Sequence, residues 1–189
     1  MTTFGAVYDA CVLYPAPIRD LLIRLARTGL FRAHWTHHIH EEWMRALKRQ
    51  RPDIDEEKLD RLRRMMDSAV PDCLVTGYEP LIENLRLPDA DDRHVLAAAI
   101  KSGAAVIVTT NLKDFPADAL SEFDIEAQHP DEFVRHLCDL GMGAVLRVVQ
   151  EQRQDLKSPP KTPEELLETF LANGLPETVS ALRPFLASL

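Results

Sequence analysis

Cysteine is scarce in this sequence: Cys11, Cys73 and Cys138 lie far apart and form no CxxC pair. An odd, scattered set argues against a disulfide framework or a zinc ribbon and fits reduced thiols in a cytoplasmic protein. No apolar run approaches the roughly 20 residues of a membrane span, and no basic-then-apolar leader opens the chain, so a soluble protein is expected. Internal repeats and low-complexity tracts are missing as well, which removes solenoids and fibrous proteins from consideration. Hydrophobic residues make up 46% of the 189, enough to bury one ordinary core and to exclude disorder throughout. Net positive charge is also lacking. A balance of −8 would disfavour nucleic acid if the charge were evenly spread. It is not: Arg45, Lys48, Arg49, Arg51, Lys58, Arg61, Arg63 and Arg64 place eight of 22 basic residues within twenty positions. Such a surface can hold phosphates while carboxylates elsewhere dominate the total. Five acids (Asp53, Asp55, Glu56, Glu57 and Asp60) are interleaved with it, so a plainly solvated helix pair explains the same pattern.

What the chain does have is organised around Leu87–Pro116, LPDADDRHVLAAAIKSGAAVIVTTNLKDFP. Asp89, Asp91 and Asp92 stand where a helix should begin, and negative charge there is favoured by exposed N–H groups and the macrodipole. Val95, Leu96, Ala99 and Ile100 then form an apolar face. Gly103 can take the left-handed conformation that ends a helix. Ala104–Val108 is a continuous apolar run, the pattern of a strand buried on both faces. It leads into Thr109-Thr110-Asn111, with Asp114 three residues on. Functional groups of an open parallel sheet gather at the C-terminal strand edge. This unit therefore directs an acidic helix start and an Asn/Asp-bearing strand end towards one region.

Before that unit, Phe4–Asp9 reads as a first strand ending in an acid, which is costly to bury unless it is paired, caps a turn or binds a cation. Ile18, Leu21, Leu22 and Leu25 form a helical stripe closed by Gly29. Leu30–Trp35 is a connector or short strand, and Thr36 is the N-cap of HHIHEEWMRALKRQ. Glu42 sits at the edge of that helix's apolar stripe, while Glu41 is turned about 100° away. Glu42 is equally explained as a first-turn acid that complements the dipole. His34, His37, His38 and His40 lack an HExxH pattern and a nearby cysteine, so they read as surface histidines and not as a zinc site. Pro52 ends the helix, and Asp53 with Glu56 predicts a capping-box start to the next, which buries Leu59, Leu62 and Met66. Cys73–Val75 reads as a short strand and Glu79–Leu87 as a connection.

After the unit come a weak strand at Asp124–Gln128, a short helix from Asp131 and a break at Gly141 and Gly143. Ala144–Lys157 reads as a further helix. Thr162-Pro163-Glu164-Glu165 combines N-cap, Pro at N1 and Glu at N3, and opens a closing helical hairpin. Strands alternating with helices predict an α/β domain with a mainly parallel sheet.

Four elements thus begin or end on acid or amide groups: Asp9, Glu42, Asp89 with Asp92, and Asn111 with Asp114. Carboxylates collected at one sheet edge cannot all stay ionised without cations, and hard oxygen donors select magnesium or manganese. The same donors serve phosphodiester hydrolysis and phosphoryl transfer alike.

Taken together, VYDACVLYP, IHEEWMRAL, DADDRHVLAAAIKSGAAVIVTTNLKDFP and IEAQHPDEFV resemble, in order from Phe4 to Leu137, the PIN domains of VapC-type toxins. That resemblance implies a PIN-like α/β/α sandwich over residues 1–140, with 141–189 as a helical extension packing on the core or a partner. It further implies a Mg2+- or Mn2+-dependent endoribonuclease that leaves a 5′-phosphate and is restrained by an antitoxin, with a homodimer as the usual assembly. Position by position, Asp9, Glu42 and Asp92 match the metal-binding acids, with Asp89 as an auxiliary. Asn111 departs from the pattern, standing where many members have Asp; its amide can ligate a cation but brings no charge. Asp114, one loop further, is the compensating candidate. Arg45, Lys48, Arg61 and Arg64 are the candidates for steering RNA. A rival reading is a binding module that keeps the fold without catalysis. A haloacid-type phosphatase is discounted, because Cys11 occupies the second position of the DxD pair.

Overall fold

The sheet forms because short apolar strands alternate with helices that carry the chain back across it, which makes every strand parallel to its neighbours. A computed structural model describes residues 3–189. It runs β1 (Gly5–Tyr8), α1 (Ala10–Leu13), α2 (Ala16–Ala26), β2 (Arg32–His34), α3 (His37–Gln50), α4 (Glu56–Ala69) and α5 (Glu79–Ile82). There follow α6 (Arg93–Ser102), β3 (Val106–Val108), α7 (Ala117–Leu120), β4 (Glu126–Gln128), α8 (Pro130–Asp155), α9 (Pro163–Ala172) and α10 (Pro176–Leu182). Strand order is β2-β1-β3-β4, all parallel. The fold is the parallel α/β architecture the sequence predicts.

β1 and β3 hold the centre, and Ala6, Val7, Tyr8, Ile107 and Val108 are fully buried. Val7 lies between His34 and Ile107, and Tyr8 pairs with Val108. The chain leaves β1 to one side for β2 and later returns to its other side for β3. The two central strands therefore end side by side at a topological switch point. Gly5 allows the close approach at the start of β1, where a Cβ would meet Ala104 Cα at 3.0 Å. On one face Phe31 meets Phe133 edge-on at 5.0 Å, and Tyr8 stacks on Trp35 at 6.0 Å while donating its hydroxyl to Leu22 O.

α3 is oriented by what lies beneath it. Thr36 caps it through Ile39 N at 3.0 Å, and Ile39, His40 and Trp43 are completely buried. Trp43 Nε1 donates to His40 Nδ1 at 2.9 Å, so the His40 proton sits on Nε2, facing Asp67 Oδ1 at 2.7 Å. Trp35 Nε1 donates to the same oxygen at 2.8 Å. Burial pushes His40 below its ordinary pKa, keeping the ring neutral. The expectation of surface histidines fails here: His40 is a core residue that ties α3 to α4.

Four local expectations shift. Asp55, not Asp53, caps α4, accepting from Glu57 N. Cys73–Val75 forms only a bridge between Leu74 and Trp35, and the Glu79–Leu87 connection contains the single turn α5. The helix after β4 continues beyond the expected break, which appears as a kink inside α8 at Gly141. A Cβ at that residue would meet Leu30 Cδ2 at 3.0 Å. The capping box of Thr162 and Glu165 forms as the sequence predicts.

The C-terminal helices pack on the body of the fold, α10 against α8 and α8 against α2. One buried carboxylate fastens them. Asp131, in the first turn of α8, accepts from Glu177 N and Thr178 N at 2.8 Å each, capping α10 from outside its own sequence. Asp131→Ala should therefore leave both N–H groups unpaired and cost about 1–3 kcal/mol in urea unfolding, with Asp131→Asn losing less.

Candidate functional site

Asp9 follows directly on β1 and caps α1, accepting from Ala10 N at 2.7 Å. Its backbone N–H continues the ladder to Val108 O at 3.1 Å. Its other oxygen accepts from Thr109 Oγ1 at 2.8 Å and from Cys11 Sγ at 3.3 Å. Only 5% exposed, Asp9 is pushed above the usual carboxylate range by burial. Three donors (Thr109, Cys11 and Ala10) pull it back, and the Glu42 charge adds to the rise. Thr109 and Cys11 are thus part of the setting of Asp9, which sequence reading did not assign. The apolar β3 run ending in hydroxyl residues beside an Asp-ended strand was the available signal.

Asp92 closes a 3-10 turn, Ala90–Asp92, immediately before α6. Its side chain makes no capping bond, whereas Asp89 accepts from Asp91 N at 2.9 Å. Its pKa is pushed up to about 7, first by burial and then by the charges of Asp9, Asp89, Asp114 and Glu42. The leading contributions are thus burial and four other carboxylates. Five acids from four elements thus share one field, at the switch point between β1 and β3. Asn111 is exposed at the turn after β3 and donates its backbone N–H to Thr109 Oγ1 at 3.0 Å.

Glu42 is one-quarter exposed and accepts from His94 Nε2 at 3.1 Å, with His38 Nε2 3.9 Å away. His94 is 2% exposed and its ring stacks on that of His38 at 3.8 Å and 17°. Sequence periodicity put only Val95, Leu96, Ala99 and Ile100 inside; the structure buries His94 through Ala99 without interruption. Small Ala97 and Ala98, three and four residues beyond His94, were the signal that this side also packs.

The donor set suits a cation. Asp9, Glu42 and Asp92 could hold Mg2+ or Mn2+, with Asp89 and Asp114 adding charge, because such ions select hard oxygen donors. Every acid proposed from the sequence lies in this group. The proposed basic residues do not form one patch. Arg45 and Lys48 line a cleft of about 640 Å3 between α3 and α4, together with Arg49, Glu56, Glu57 and Asp60. Arg61 and Arg64 open on another cavity beside Arg27 and Met65. Arg64 is also paired with Asp60, and Lys48 Nζ donates to Ile54 O.

Comparison with known proteins agrees with this layout. A family model described as "PIN domain" matches residues 5–113, and one described as "VapC50 C-terminal domain" matches residues 130–184. A curated protein of Mycobacterium tuberculosis (strain ATCC 25618 / H37Rv), named "Putative ribonuclease VapC50", is 40% identical over 120 residues. The match covers 61% of this chain and 70% of that protein. No solved structure matches.

The acid cluster carries a pH signature. Asp92 takes up its proton near pH 7 when folded but near 3.8 when unfolded. Between those values the folded state binds more protons, so its contribution is stabilising at the acid end and is lost as pH rises through 7. Thermal melting in EDTA should therefore fall between about pH 5 and pH 8, and Asp92→Asn should flatten that slope. Added Mg2+ should restore the melting temperature chiefly at the alkaline end.

Proposed function

Because the chain belongs to the PIN-domain family, we propose that it is a divalent-cation-dependent endoribonuclease, the toxin of a toxin–antitoxin pair. The observation that carries this reading is Asp92, pushed up to about 7 among four other carboxylates at the switch point. In this reading Asp9, Glu42 and Asp92 hold Mg2+ or Mn2+. Asp89 and Asp114 extend the negative field, and the Asn111 amide is a further oxygen donor. When bound, the ion supplies a water of lowered pKa and neutralises charge on the phosphodiester oxygens. The chain's own part is preorganisation. Thr109 and Cys11 fix one Asp9 oxygen, Ala10 N fixes the other, and burial keeps Asp9 in a medium where charge interactions are strong.

The division carried in this reading is a nuclease unit over residues 1–140 with 141–189 as an extension; the separate family-model matches to 5–113 and 130–184 support two parts, with the second beginning by residue 130. An antitoxin and a homodimer accompany the toxin reading, which rests on family membership and on the VapC50 name of the curated relative. A cytoplasmic location accompanies the RNA-substrate reading; no described helix is long and apolar enough to cross a membrane. Asn111 favours one alternative, a PIN-fold binding module with little catalysis, because an amide contributes no charge to hold a second ion.

Cleavage of a mixed structured-RNA pool by antitoxin-free protein separates these readings. Wild type with Mg2+ or Mn2+ should cut, EDTA should stop it, and Asp9→Ala should lose at least roughly 100-fold, beyond the usual effect of an outer-shell change. Absence of cutting by folded protein would leave the binding module. Reversing charge at Arg61 and Arg64 should weaken RNA binding and lower the salt slope by about 2; unchanged affinity at low salt would remove these residues from the RNA path.

A further inference from the structure

His94 is the most buried ionisable group in contact with the acid cluster that the reading above leaves without a role. Three side chains meet there: ligand-capable atoms of His38, Glu42 and His94 all lie within 4.8 Å of one another. Chelation of an ion by both histidines is the first chemistry this suggests, and two observations oppose it. The rings are stacked, 3.8 Å apart and 17° from parallel, so an ion reached by both would lie off both ring planes and away from the nitrogen lone pairs. His94 Nδ1 is buried with no hydrogen-bond partner. Metal on Nε2 would force the proton onto Nδ1 and leave a buried donor unpaired, contrary to the usual ligand histidine, whose second nitrogen finds an acceptor. An unpaired lone pair at Nδ1 is the lesser cost.

The geometry points to a different role: we infer that His94 is a positioning residue, an Nε2–H donor that clamps Glu42 Oε1 at 3.1 Å and aims the remaining carboxylate oxygen at the acid cluster. This rests on Glu42 being one of the cation-holding acids. Glu42 needs such a clamp. It projects from α3 on a flexible side chain about one-quarter exposed, whereas Asp9 is short and fixed by three donors. His94 is itself buried. It sits in the first turn of α6, two residues after Asp92, with His38 covering its ring face. One helix start thus carries Asp92 and also orients the acid arriving from α3.

Mn2+ affinity, measured by calorimetry and by electron paramagnetic resonance of free Mn2+, tests this without reference to cleavage. His94→Phe keeps ring volume and stacking but removes the donor; His94→Gln keeps a donor of similar reach and removes the ring. The phenylalanine variant should bind Mn2+ about 10- to 100-fold more weakly, and the glutamine variant within about 3-fold of wild type. In a Glu42→Gln background, His94→Phe should add nothing further, as expected for a residue acting through Glu42. Melting curves establish that each variant is folded.

Wild-type affinity in the phenylalanine variant, or an equal loss in the glutamine variant, would overturn the clamp. So would Zn2+ binding abolished alike by His94→Phe, His94→Gln and His38→Ala, which would mean nitrogen ligation. Asp9→Asn separates the two levels of the argument. Mn2+ binding that is lost there but untouched in His94→Phe sinks only the clamp. Wild-type protein that binds no Mn2+ sinks the cation site and the clamp with it.

Discussion

Unbalanced negative charge is the constraint on which this molecule turns. Asp9, Glu42, Asp89, Asp92 and Asp114 come from four elements and converge, among the described residues, with only histidines, His94 and His38, beside one of them. Like charges brought together in a partly desolvated place repel and raise one another's pKa. A fold tolerates such a cluster only if the surrounding structure is stable enough to hold it. Here the support is the parallel pairing of β1 with β3, which sets Asp9 beside Thr109 at the ends of two fully buried strands.

The rest of the architecture fixes the angle of the remaining acids. α3 could present Glu42 in many directions, but Trp43, His40 and Asp67 lock its rotation through a chain of hydrogen bonds. α6 is packed so closely that six consecutive residues are buried, which places Asp92 at its mouth with little freedom. Asp89 satisfies its own turn, leaving Asp92 uncommitted to capping. Stability and site geometry thus rely on the same contacts, so packing changes beneath α3 or α6 should reach the site.

The basic residues behave differently from the acids. Half of the eight in the α3–α4 region are engaged locally: Arg51 with Asp53, Arg63 and Arg64 with Asp60, Lys48 with a carbonyl. The charges of the α3–α4 region are interleaved and partly paired, as a solvated helix pair requires, while Arg45 and Arg61 remain exposed. The acids are concentrated and the bases dispersed, the arrangement expected if specific chemistry resides in the former and general phosphate attraction in the latter.

The sequence by itself determined most of the elements and marked out the acids as candidates. Apolar runs of strand length, Thr36 and Thr162 as caps, Gly103 as a stop, and an acid or amide at each relevant junction are all local signals, written within a few residues of where they act. That locality is why β1, β3, α3, α6 and the capping box could be read directly. Tertiary structure alone decided everything that joins distant positions. Asp9 and Thr109 are 100 residues apart, Glu42 and His94 are 52 apart, and Asp131 caps a helix 47 residues away. Burial of His40 and His94 could not be read either, because a histidine is polar by type and enters a core only when specific partners from other elements receive it. Local chemistry chose the side chains; the parallel sheet and the packing of α3 and α6 on it chose which of them meet.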